Sequence, residues 1–596
     1  MKLRGNVNPS IAIIDYGGQY VQNIRRAFRE MSIPADILPP DVGAQSLDGV
    51  DGLVLSGGPY SVYMDSAPTF HREVLRSGKP ILGLCYGHQL LAHLLGGRVS
   101  GGKAGEYGFA ELEILGDDPL FKGISGPQIV WMSHGDEVSS VPNGFVPLAS
   151  TRGCPNAAMA HRTLPIYGLQ FHPEVSHTPM GWKVLENFAR EVCGLEVGSW
   201  DPGAYIAEKL DWIRNEVGDG TAMVAVSGGV DSTVVAALAV RALGDRLVSV
   251  HVDHGFMRKN ESARVVEELR TIGLDPVLID ASGEFFRSLD GVTTGDAKRR
   301  AVGNLFIRTF EEVAGEKSVG YLVQGTIAPD AIESSRGIAA EGRGSEHGGM
   351  IKLHHNVGGL PKDMWIRVLE PIRDLFKYQV RVLGKALGVP EGLLMRQPYP
   401  GPGLSVRVAG EATPENVEVI RGVTVEVENF LERYQPSQYL AYLTDLEMKA
   451  EPVAVEIVRD QLGKGYSIEA WTHGSVAVGV KGDERLLGRM LSLDIARDGK
   501  WAWNDIRWLD LLRLQSAITG RLREVCRVVA HVGSSGEGDL GAVVRAVDTR
   551  DFMTAIPTKV PFEELHDLGK AIVVRPRIRE AYYEITTKPS STIELE

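Results

Sequence analysis

The length, composition and charge of the chain exclude several classes of protein. Its 596 residues are too many for one hydrophobic core and predict roughly three to five domains. Hydrophobic residues make up 43% and charged residues 23% of the chain, as is usual for globular proteins. The formal charge of −13 argues against a general surface for nucleic acid or for an anionic membrane, and we expect neither partner.

The cysteines favour a reducing environment. There are four, with no CxxC pair, which indicates reduced thiols rather than a disulfide framework or a zinc site: Cys85, Cys154, Cys193 and Cys526. The sequence shows no signal peptide pattern and no apolar stretch of the length that spans a membrane. We therefore expect a cytoplasmic protein.

The first part of the chain alternates short apolar runs with longer amphipathic stretches. The runs end in glycines and are typical of buried strands: IAIIDYGG (11–18), GLVLSGG (52–58) and PILGLCYG (80–87). Such alternation predicts an α/β fold with a doubly wound parallel sheet. The pattern lapses at CGLEVGSWDPGAY (193–205), so we place the first domain at 1–196.

The pattern restarts at TAMVAVSGGVDSTVVAALAVRAL (221–243) and predicts a second doubly wound domain over 197–404. Prolines and glycines interrupt it at RQPYPGPGLSVRV (396–408). Farther on, the stretches 475–495 and 541–555 both begin with alternating apolar and polar residues, which predicts a strand, and both continue into a charged segment. They predict an α+β C-terminal region over 405–596, with subdomains at about 405–532 and 533–596.

Cys85 lies between a predicted strand and the predicted helix HQLLAHLL (88–95). A sharp turn there exposes the sulfur, and the start of a helix favours the thiolate, although a buried core cysteine is the ordinary alternative. His172 and Glu174 follow in GLQFHPEVSHT (168–178). Residues two apart in an extended chain share a face, so the carboxylate can orient the imidazole as a base. A buried histidine satisfied by an acid is the alternative.

The neighbouring residues favour catalysis. The segments GLCYGHQLLAHLLGG and GLQFHPEVSHT, with LSGGPYSVY (55–63) and MSHGDEV (132–138), resemble class I glutamine amidotransferases over roughly the first 190 residues. The resemblance implies a Cys85, His172 and Glu174 triad that hydrolyses glutamine through a thioester on Cys85. It also implies an oxyanion site at Gly57, Gly58 and Tyr86. Contacts with glutamine are implied for Gln89, His134 and Asp136, where solvated-loop roles are the alternative. Cys154 and Cys193 have no partner motif nearby, so we interpret them as structural.

The second domain carries a glycine-rich loop in VAVSGGVDSTVVAALAV (224–240), between a predicted strand and a predicted helix. Glycines let backbone amides approach phosphate oxygens, and the helix start favours their charge. The loop lacks the GK[ST] ending of a P-loop and resembles the pyrophosphate-binding loop of ATP pyrophosphatases. The resemblance implies an ATP site in which Asp231 holds Mg²⁺. The alternative for Asp231 is a helix cap. The loop residues implied to bind ATP are Ser227, Gly228, Gly229, Asp231 and Ser232.

Further segments resemble the GMP synthetase family over about 200 residues: VHVDHGFMRKNE (250–261), VQGTIAPDAIES (323–334), HHNVGGLP (354–361), LEPIRDLFKYQVR (369–381) and RQPYPGPGLSVRV. The resemblance implies that Asp253 borders the adenosine. It also implies that Lys377 faces the phosphates, although a solvated helix face is the alternative. The segment 351–361 would be a mobile lid. Ala328 stands where the family often has a basic residue.

The C-terminal segments VVRAVDTRDFMTA (543–555) and YYEITTKPSSTIELE (582–596) resemble the end of long-form GMP synthetases. There the resemblance implies a site for xanthosine monophosphate (XMP). Lys588 would reach its phosphate, Thr592 and Glu594 would lie in the closing loop, and Arg485 in VGVKGDER (478–485) would contact the nucleotide. Surface cations are ordinarily only solvated, which is the alternative. The segments KPSST (588–592) and ELE (594–596) depart from the family pattern. A homodimer is therefore one possible arrangement of subunits.

The combined resemblance implies one reaction, in which ATP, XMP, glutamine and water give GMP, AMP, pyrophosphate and glutamate through adenylyl-XMP. Two alternatives stay open: another amidotransferase-fused ATP pyrophosphatase such as an NAD synthetase, and a non-catalytic nucleotide-binding protein that kept the fold. The segments PGPGLSVRV and TTKPSSTIELE argue against the first. The retained Cys85, His172 and loop argue against the second.

Overall fold

The computed structural model describes residues 10–64, 66–198, 200–327, 366–397, 399–481, 484–549, 554–588, 590–592 and 594–595. The predictions for Ala328 and for the lid at 351–361 lie outside these ranges. The chain divides into two compact units, which are 1–200 with 550–556, and 201–549 with 557–596. No helix among the described residues is long and apolar enough to cross a membrane.

The first unit is built on a nine-stranded sheet in the order β2-β1-β3-β4-β9-β8-β7-β5-β6. The strands are β1 (Ile11–Ile14), β2 (Ala35–Leu38), β3 (Gly52–Leu55), β4 (Ile81–Leu84), β5 (Arg98–Ile114), β6 (Gln128–Ser140), β7 (Phe145–Ser150), β8 (Ala158–His161) and β9 (Ile166–Leu169). The helices are α1 (Val21–Glu30), α2 (Arg72–Leu75), α3 (Tyr86–Leu94) and α4 (Gly181–Asn187). The strands from β2 to β9 in this order are parallel, and the rest are antiparallel.

Strand β1 shows why this sheet has helices on both faces. Its four residues are fully buried, and successive side chains enter two different clusters of apolar residues. Ile11 and Ile13 pack in the cluster that contains Phe28 of α1, whereas Ala12 and Ile14 pack in the cluster that contains Leu91 of α3. A strand that is buried on both sides reads as a continuous apolar run, as predicted from IAII.

The second unit contains a five-stranded parallel sheet in the order β12-β11-β10-β13-β14. Its elements are α5 (Pro202–Val217), β10 (Ala222–Ala225), α6 (Val230–Leu243), β11 (Leu247–Asp253), α7 (Glu261–Arg270), β12 (Val277–Asp280), α8 (Ser282–Ser288), α9 (Gly295–Lys317), β13 (Tyr321–Val323), β14 (Arg367–Leu369), α10 (Lys377–Ala386) and α11 (Glu391–Leu394). Strand β10 pairs with β11 on one side and with β13 on the other, so the chain crosses from one side of β10 to the other between β12 and β13. The end of β10 is therefore the switch point at which such sheets bind ligands.

The C-terminal part of the second unit forms a ten-stranded sheet with the main order β15-β21-β23-β20-β18-β17-β16. Its elements are α12 (Pro414–Leu431), β15 (Gln438–Asp445), β16 (Met448–Ala450), α13 (Pro452–Leu462), β17 (Ser467–Lys481), β18 (Glu484–Arg497), β19 (Lys500–Trp501), α14 (Trp508–Arg521), β20 (Val525–Ser534), β21 (Leu540–Asp548), β22 (Ile556–Pro557), α15 (Phe562–Val573), β23 (Ile578–Glu584) and β24 (Ser590–Ser591). Strands β21 and β23, which follow residue 532, lie between β15 and β20, and β20 itself spans this residue. The subdomain boundary at about 532 remains a prediction.

A buried ionic cluster crosses the middle of this sheet. Glu584 on β23 accepts hydrogen bonds from Arg527 on β20, with Nη1 to Oε2 at 2.9 Å, and from Arg545 on β21. The hydroxyl of Tyr442 on β15 donates to the same carboxylate at 2.9 Å. The three charged side chains are at most 1% exposed. Since burying a charge is costly unless it is paired, one carboxylate here compensates two guanidinium groups.

We predict that Glu584→Gln strongly destabilises the second unit. The substitution keeps the size of the side chain but leaves two buried cations without a counter-charge, which lowers the free energy of unfolding by about 3 to 5 kcal/mol. The midpoint of thermal unfolding measures the effect. Glu537→Gln, at an exposed loop position, is the control and leaves the midpoint unchanged. Equal midpoints for the two variants would contradict the role of the cluster.

Candidate active sites

The predicted turn around Cys85 is present between β4 and α3. Cys85 has φ 52° and ψ −105°, a conformation that is strained for a residue with a side chain and that recurs at functional sites. A side chain at Gly87 would collide with the backbone of Leu55, so glycine lets the turn pack against β3. The next amide, of Tyr86, is the first of α3 and lies outside the intrahelical hydrogen bonds.

His172 lies against Cys85 and Glu174, and all three are buried. The imidazole Nδ1 is 2.8 Å from Glu174 Oε1, and the ring also interacts electrostatically with Cys85. Burial lowers the pKa of His172, but the charges of Glu174 and Cys85 outweigh burial and raise this pKa to about 10. At neutral pH the imidazolium form of His172 is therefore favoured.

The contact between His172 and Glu174 forms in a turn rather than in a strand. Strand β9 ends at Leu169, so the extended geometry expected from the two-residue spacing is absent at this point. The hydroxyl of Thr178 donates to the carbonyl oxygen of His172 at 2.7 Å, and the amide of His172 donates to the carbonyl oxygen of Trp131 at 3.1 Å. The tertiary fold thus supplies the placement that the sequence analysis had ascribed to a strand.

The space beside the thiol is bounded by backbone and by an amide side chain. A Cβ at Gly57 would lie 3.1 Å from Cε1 of His172 and 3.6 Å from Cβ of Cys85, so glycine keeps this space open. The carbonyl oxygen of Ser133 is 3.6 Å from the sulfur, and Nε2 of Gln170 is 3.8 Å from it. Gln170 was missed in the sequence analysis, although it stands within the quoted segment GLQFHPE.

The residues predicted to contact glutamine lie together on one side of this site. The amide of Gln89 donates to the carbonyl oxygen of Asp136 at 2.7 Å and to Oε1 of Gln170 at 3.2 Å. Nδ1 of His134 is 2.9 Å from the same carbonyl oxygen, and its Nε2 is 3.5 Å from Glu106. Gln89 and His134 are buried and bonded within the chain. Their direct role toward glutamine stays a prediction.

The other two cysteines of this unit are Cys154 and Cys193. Burial raises the pKa of Cys154 to about 12 and raises the pKa of Cys193 as well. A Cβ at Gly52 would lie 2.6 Å from the sulfur of Cys193, so this thiol packs closely against β3. Thiols that stay protonated at neutral pH are poor nucleophiles, which fits the structural roles expected for both.

The glycine-rich loop follows β10, at the switch point of the second sheet. Gly228 has φ +78°, which favours glycine. Oγ of Ser227 accepts from the amide of Gly229 at 3.3 Å and is 3.2 Å from Oγ of Ser232. The hydroxyl of Thr233 donates to the carbonyl oxygen of Gly229 at 2.8 Å. The loop therefore gathers hydroxyls and backbone amides at the N-terminus of α6, an arrangement suited to phosphate.

Asp231 and Lys377 meet beside this loop. Nζ of Lys377 donates to Oδ2 of Asp231, and both side chains are about 85% buried, since 14% and 15% of them are exposed. Oδ1 of Asp231 is buried and has no hydrogen-bond partner among the described residues. A carboxylate oxygen in this state suits Mg²⁺, so the residues fit the ion. Lys377 begins α10 and does not lie on a solvated helix face.

Asp253 ends β11, the strand next to β10. Its Oδ1 accepts from the amide of Gly255 at 2.9 Å, and its carbonyl oxygen accepts from the amide of Ala281 at 3.0 Å. These bonds fix the turn that leaves the sheet edge. Because the strands are parallel, Asp253 lies at the same edge of the sheet as the glycine-rich loop, where the adenosine contact was predicted.

The residues predicted to bind XMP lie in or next to the C-terminal sheet. Lys588 is partly buried at the end of the segment that follows β23. Arg485 pairs with Val480 in the hairpin of β17 and β18, but its side chain lies outside the described part of the structure. The hydroxyl of Thr592 donates to the carbonyl oxygen of Val478 at 3.1 Å and accepts from Arg527 at 2.9 Å. Thr592 is thus anchored to the sheet.

Glu594 reaches back to the segment GLSVR, which the sequence analysis did not connect with it. Arg407 donates to both carboxylate oxygens, at 3.2 and 3.0 Å, and only 1% of its side chain is exposed. Its guanidinium also stacks on the ring of Tyr399 at 5.3 Å. Burial raises the pKa of Glu594, but the positive charges of Arg407 and Arg299 outweigh burial and lower it. The sequence around Arg407 and Arg299 contains no motif that predicts a contact with Glu594.

Three family profiles match successive parts of the chain. Glutamine amidotransferase class-I matches residues 12–192, NAD synthase matches residues 205–326, and the GMP synthase C terminal domain matches residues 538–595. The NAD synthase match spans the glycine-rich loop and Asp253. A glutamine amidotransferase structure from Thermotoga maritima is 21% identical and covers 32% of this chain and 99% of its own, with a TM-score of 0.28.

The curated relatives match over nearly the full length. "GMP synthase [glutamine-hydrolyzing]" of Caldanaerobacter subterraneus is 38% identical and covers 98% of this chain and 99% of its own. The protein with the same name from Alkaliphilus metalliredigens is 38% identical with the same coverage. The one from Acetivibrio thermocellus is 37% identical and covers 99% of this chain and all of its own. With both site regions and the C-terminal region inside this match, the chain belongs to the glutamine-hydrolysing GMP synthase family.

Proposed function

We propose that this chain makes GMP from XMP, with ATP to activate the acceptor and glutamine to supply nitrogen. The main support is the buried Cys85, His172 and Glu174 cluster, in a chain that matches glutamine-hydrolysing GMP synthases along its whole length. We assign glutamine hydrolysis to residues 1–196, ATP cleavage to 197–404 and acceptor binding to 405–596. A homodimer is a further prediction, which analytical ultracentrifugation would check.

In the glutaminase reaction, the Cys85 thiolate attacks the carboxamide carbon of glutamine. The imidazolium of His172 donates its proton to the departing nitrogen, which leaves as ammonia, and a thioester remains on Cys85. Neutral His172 then takes a proton from water, whose oxygen attacks the thioester and releases glutamate. Glu174 holds the imidazole in its orientation throughout. Backbone amides of Gly58 and Tyr86 would face the oxyanion, where charge develops only during reaction.

In the synthetase reaction, O2 of XMP attacks the α-phosphorus of ATP and displaces pyrophosphate. Ammonia then attacks C2 of the adenylyl-XMP, and AMP leaves with the former O2. This activation replaces a poor leaving group by a good one. The loop amides, Ser227 and Ser232 would bind the pyrophosphate, Lys377 would add positive charge, and Asp253 would border the adenosine. Mg²⁺ on Asp231 would supply charge neutralisation for the leaving pyrophosphate.

We assign the site for XMP to the C-terminal region. Lys588 is the cation that we assign to the phosphate of XMP, with Arg485 as a second contact. Thr592 and Glu594 would position the closing segment, because both are bonded to arginines of the same unit. Any contact of Glu594 with the nucleotide would be made by its ionised carboxylate, because Arg407 lowers the pKa of this group.

We predict that Cys85→Ala abolishes glutamine-dependent GMP formation but leaves ammonia-dependent formation intact. The thiol is needed only to release ammonia, and added ammonium salt supplies the same nucleophile to the synthetase site. GMP formation with each nitrogen donor is the measurement. Cys193→Ala is the matched control, since this thiol stays protonated and packed, and it retains both activities. Loss of both activities in a folded Cys85→Ala variant would refute the assignment.

We predict that Asp231→Asn lowers glutamine-driven and ammonia-driven synthesis together. The amide keeps the size of the carboxylate but loses the charge that would hold Mg²⁺, so the rate falls at least about tenfold, equivalent to roughly 1.4 kcal/mol. Pyrophosphate release with ammonia, measured across Mg²⁺ concentrations, checks the effect. Asp219→Asn, at an exposed position, is the control. Undiminished release would refute the Mg²⁺ role and leave Asp231 with its ion pair to Lys377 alone, because the cap position of α6 is Gly229 and the helix-cap alternative for Asp231 is wrong.

We predict that Lys588→Met weakens XMP binding without weakening ATP binding. A charge-assisted hydrogen bond contributes about 1.5 to 3 kcal/mol, so the Kd for XMP rises roughly ten- to a hundredfold. Titrations with XMP and, separately, with ATP measure both affinities, and Arg485→Met is expected to behave in the same way. Lys570→Met, on an exposed lysine of α15, is the control. Unchanged XMP affinity in the Lys588 and Arg485 variants would return this region to a role in folding or assembly.

A further inference from the structure

A short segment from the far end of the chain belongs to the first unit. Residues 554–556 are grouped with residues 1–200, although the bonds that join them span 378 positions of the sequence. The amide of Ser176 donates to Oγ1 of Thr554 at 2.9 Å, and Nε2 of His177 is 3.1 Å from the carbonyl oxygen of Ala555. The contacts therefore fall a few residues after His172 and Glu174.

His177 connects this segment with strand β6. Its ring is 1% exposed and stacks on the indole of Trp131, with centroids 4.3 Å apart and an interplanar angle of 24°. Phe109 packs edge-on against both rings, at 5.6 Å from His177 and 5.2 Å from Trp131. The imidazole is thus fixed by aromatic contacts on one side and by the carbonyl oxygen of Ala555 on the other.

Trp131 in turn holds the backbone of the catalytic histidine. Its carbonyl oxygen accepts from the amide of His172 at 3.1 Å, and its amide donates to Oγ1 of Thr178 at 3.1 Å. The Thr178 hydroxyl donates to the carbonyl oxygen of His172 at 2.7 Å. Both backbone groups of His172 are therefore bonded to residues that adjoin His177.

The same strand also reaches the nucleophile. Ser133, two residues after Trp131 on β6, presents its carbonyl oxygen 3.6 Å from the sulfur of Cys85. A shift of this strand relative to the turn at 172–178 would therefore change the distance between the thiol and the imidazole. Proton transfer depends steeply on such distances, so support at this place affects rate more than substrate binding.

We propose that Thr554 and Ala555 brace the glutaminase site, and that Thr554 and His177 are positioning residues for His172. The brace comes from the C-terminal region, so the glutaminase unit is completed by a segment outside residues 1–196. It acts on the proton transfer at His172 and takes no part in binding ATP or XMP. The inference rests on the proposed roles of Cys85 and His172.

The experiment compares Thr554→Val, Thr554→Ser and His177→Phe in the full chain. Valine keeps the shape of threonine but removes the acceptor for the Ser176 amide, serine restores the acceptor, and phenylalanine keeps a stacking ring but removes the donor to Ala555. Thr163→Val, at an exposed position of the same unit, is the matched control. The readouts are kcat and KM for glutamine, the ammonia-dependent rate, and the thermal midpoint.

We expect Thr554→Val and His177→Phe to lower kcat with glutamine about tenfold, a change equal to roughly 1.4 kcal/mol. KM for glutamine and the ammonia-dependent rate stay within twofold of wild type, and Thr554→Ser recovers most of kcat. Wild-type kcat in both variants would overturn the brace. A parallel loss of the ammonia-dependent rate or a lowered thermal midpoint, without rescue by serine, would also overturn it and assign these residues to folding.

The Cys85→Ala variant keeps this result separate from the proposed function. If Cys85→Ala retains glutamine-dependent synthesis, the assignment of the nucleophile is wrong, and Thr554 and Ala555 have no glutaminase site to support. If Cys85→Ala abolishes that synthesis while the Thr554 and His177 variants keep wild-type kcat, the function stands and the brace alone is refuted.

Discussion

Backbone amides at the start of a helix, directly after a buried parallel strand, are the feature on which both proposed reaction sites depend. Cys85 occupies such a turn between β4 and α3, and the loop from Ser227 to Gly229 occupies another between β10 and α6. In each case the parallel strand is buried, and the helix start presents unpaired N–H groups. In the proposed function the first turn would face an oxyanion and the second would bind phosphate, so one local arrangement would support two kinds of chemistry with anions.

Charge burial organises the C-terminal region in a comparable way. Glu584 compensates two buried arginines within the sheet, and one of these, Arg527, also bonds Thr592 near the chain terminus. Arg407 pairs with Glu594 and stacks on Tyr399 in the segment that follows the second parallel sheet. The terminal residues are thus attached to the interior by charged hydrogen bonds, which are directional and costly to leave unpaired. Such attachment gives the proposed acceptor segment a defined place in the second unit.

The division of the chain does not follow sequence order throughout. Residues 554–556 belong to the first unit by their contacts, although sequence patterning placed them in the last domain. The hydrogen bonds to Ser176 and the His177 ring explain this grouping, and neither a composition shift nor a periodicity marks them. The ten-stranded sheet shows the same effect, because β20 pairs with β23 on one side and β18 on the other. Long-range pairing of this kind depends on the register of distant strands.

The sequence by itself determined the strand-loop-helix order around Cys85 and Asp231, because apolar runs, glycines and helix periodicity are local signals. It also identified His172 and Glu174 as partners, although their contact forms in a turn and not in the expected strand. Three contacts were decided only by the tertiary structure. They are the ion pair of Lys377 with Asp231, the ion pair of Arg407 with Glu594, and the hydrogen bond from His177 to the carbonyl oxygen of Ala555. Their partners are far apart in the chain, and a hydrogen bond or ion pair over such a separation exists only after the sheets have fixed where each strand ends. A charged or polar side chain in the sequence shows which bonds it is able to make, whereas folding decides which group it reaches.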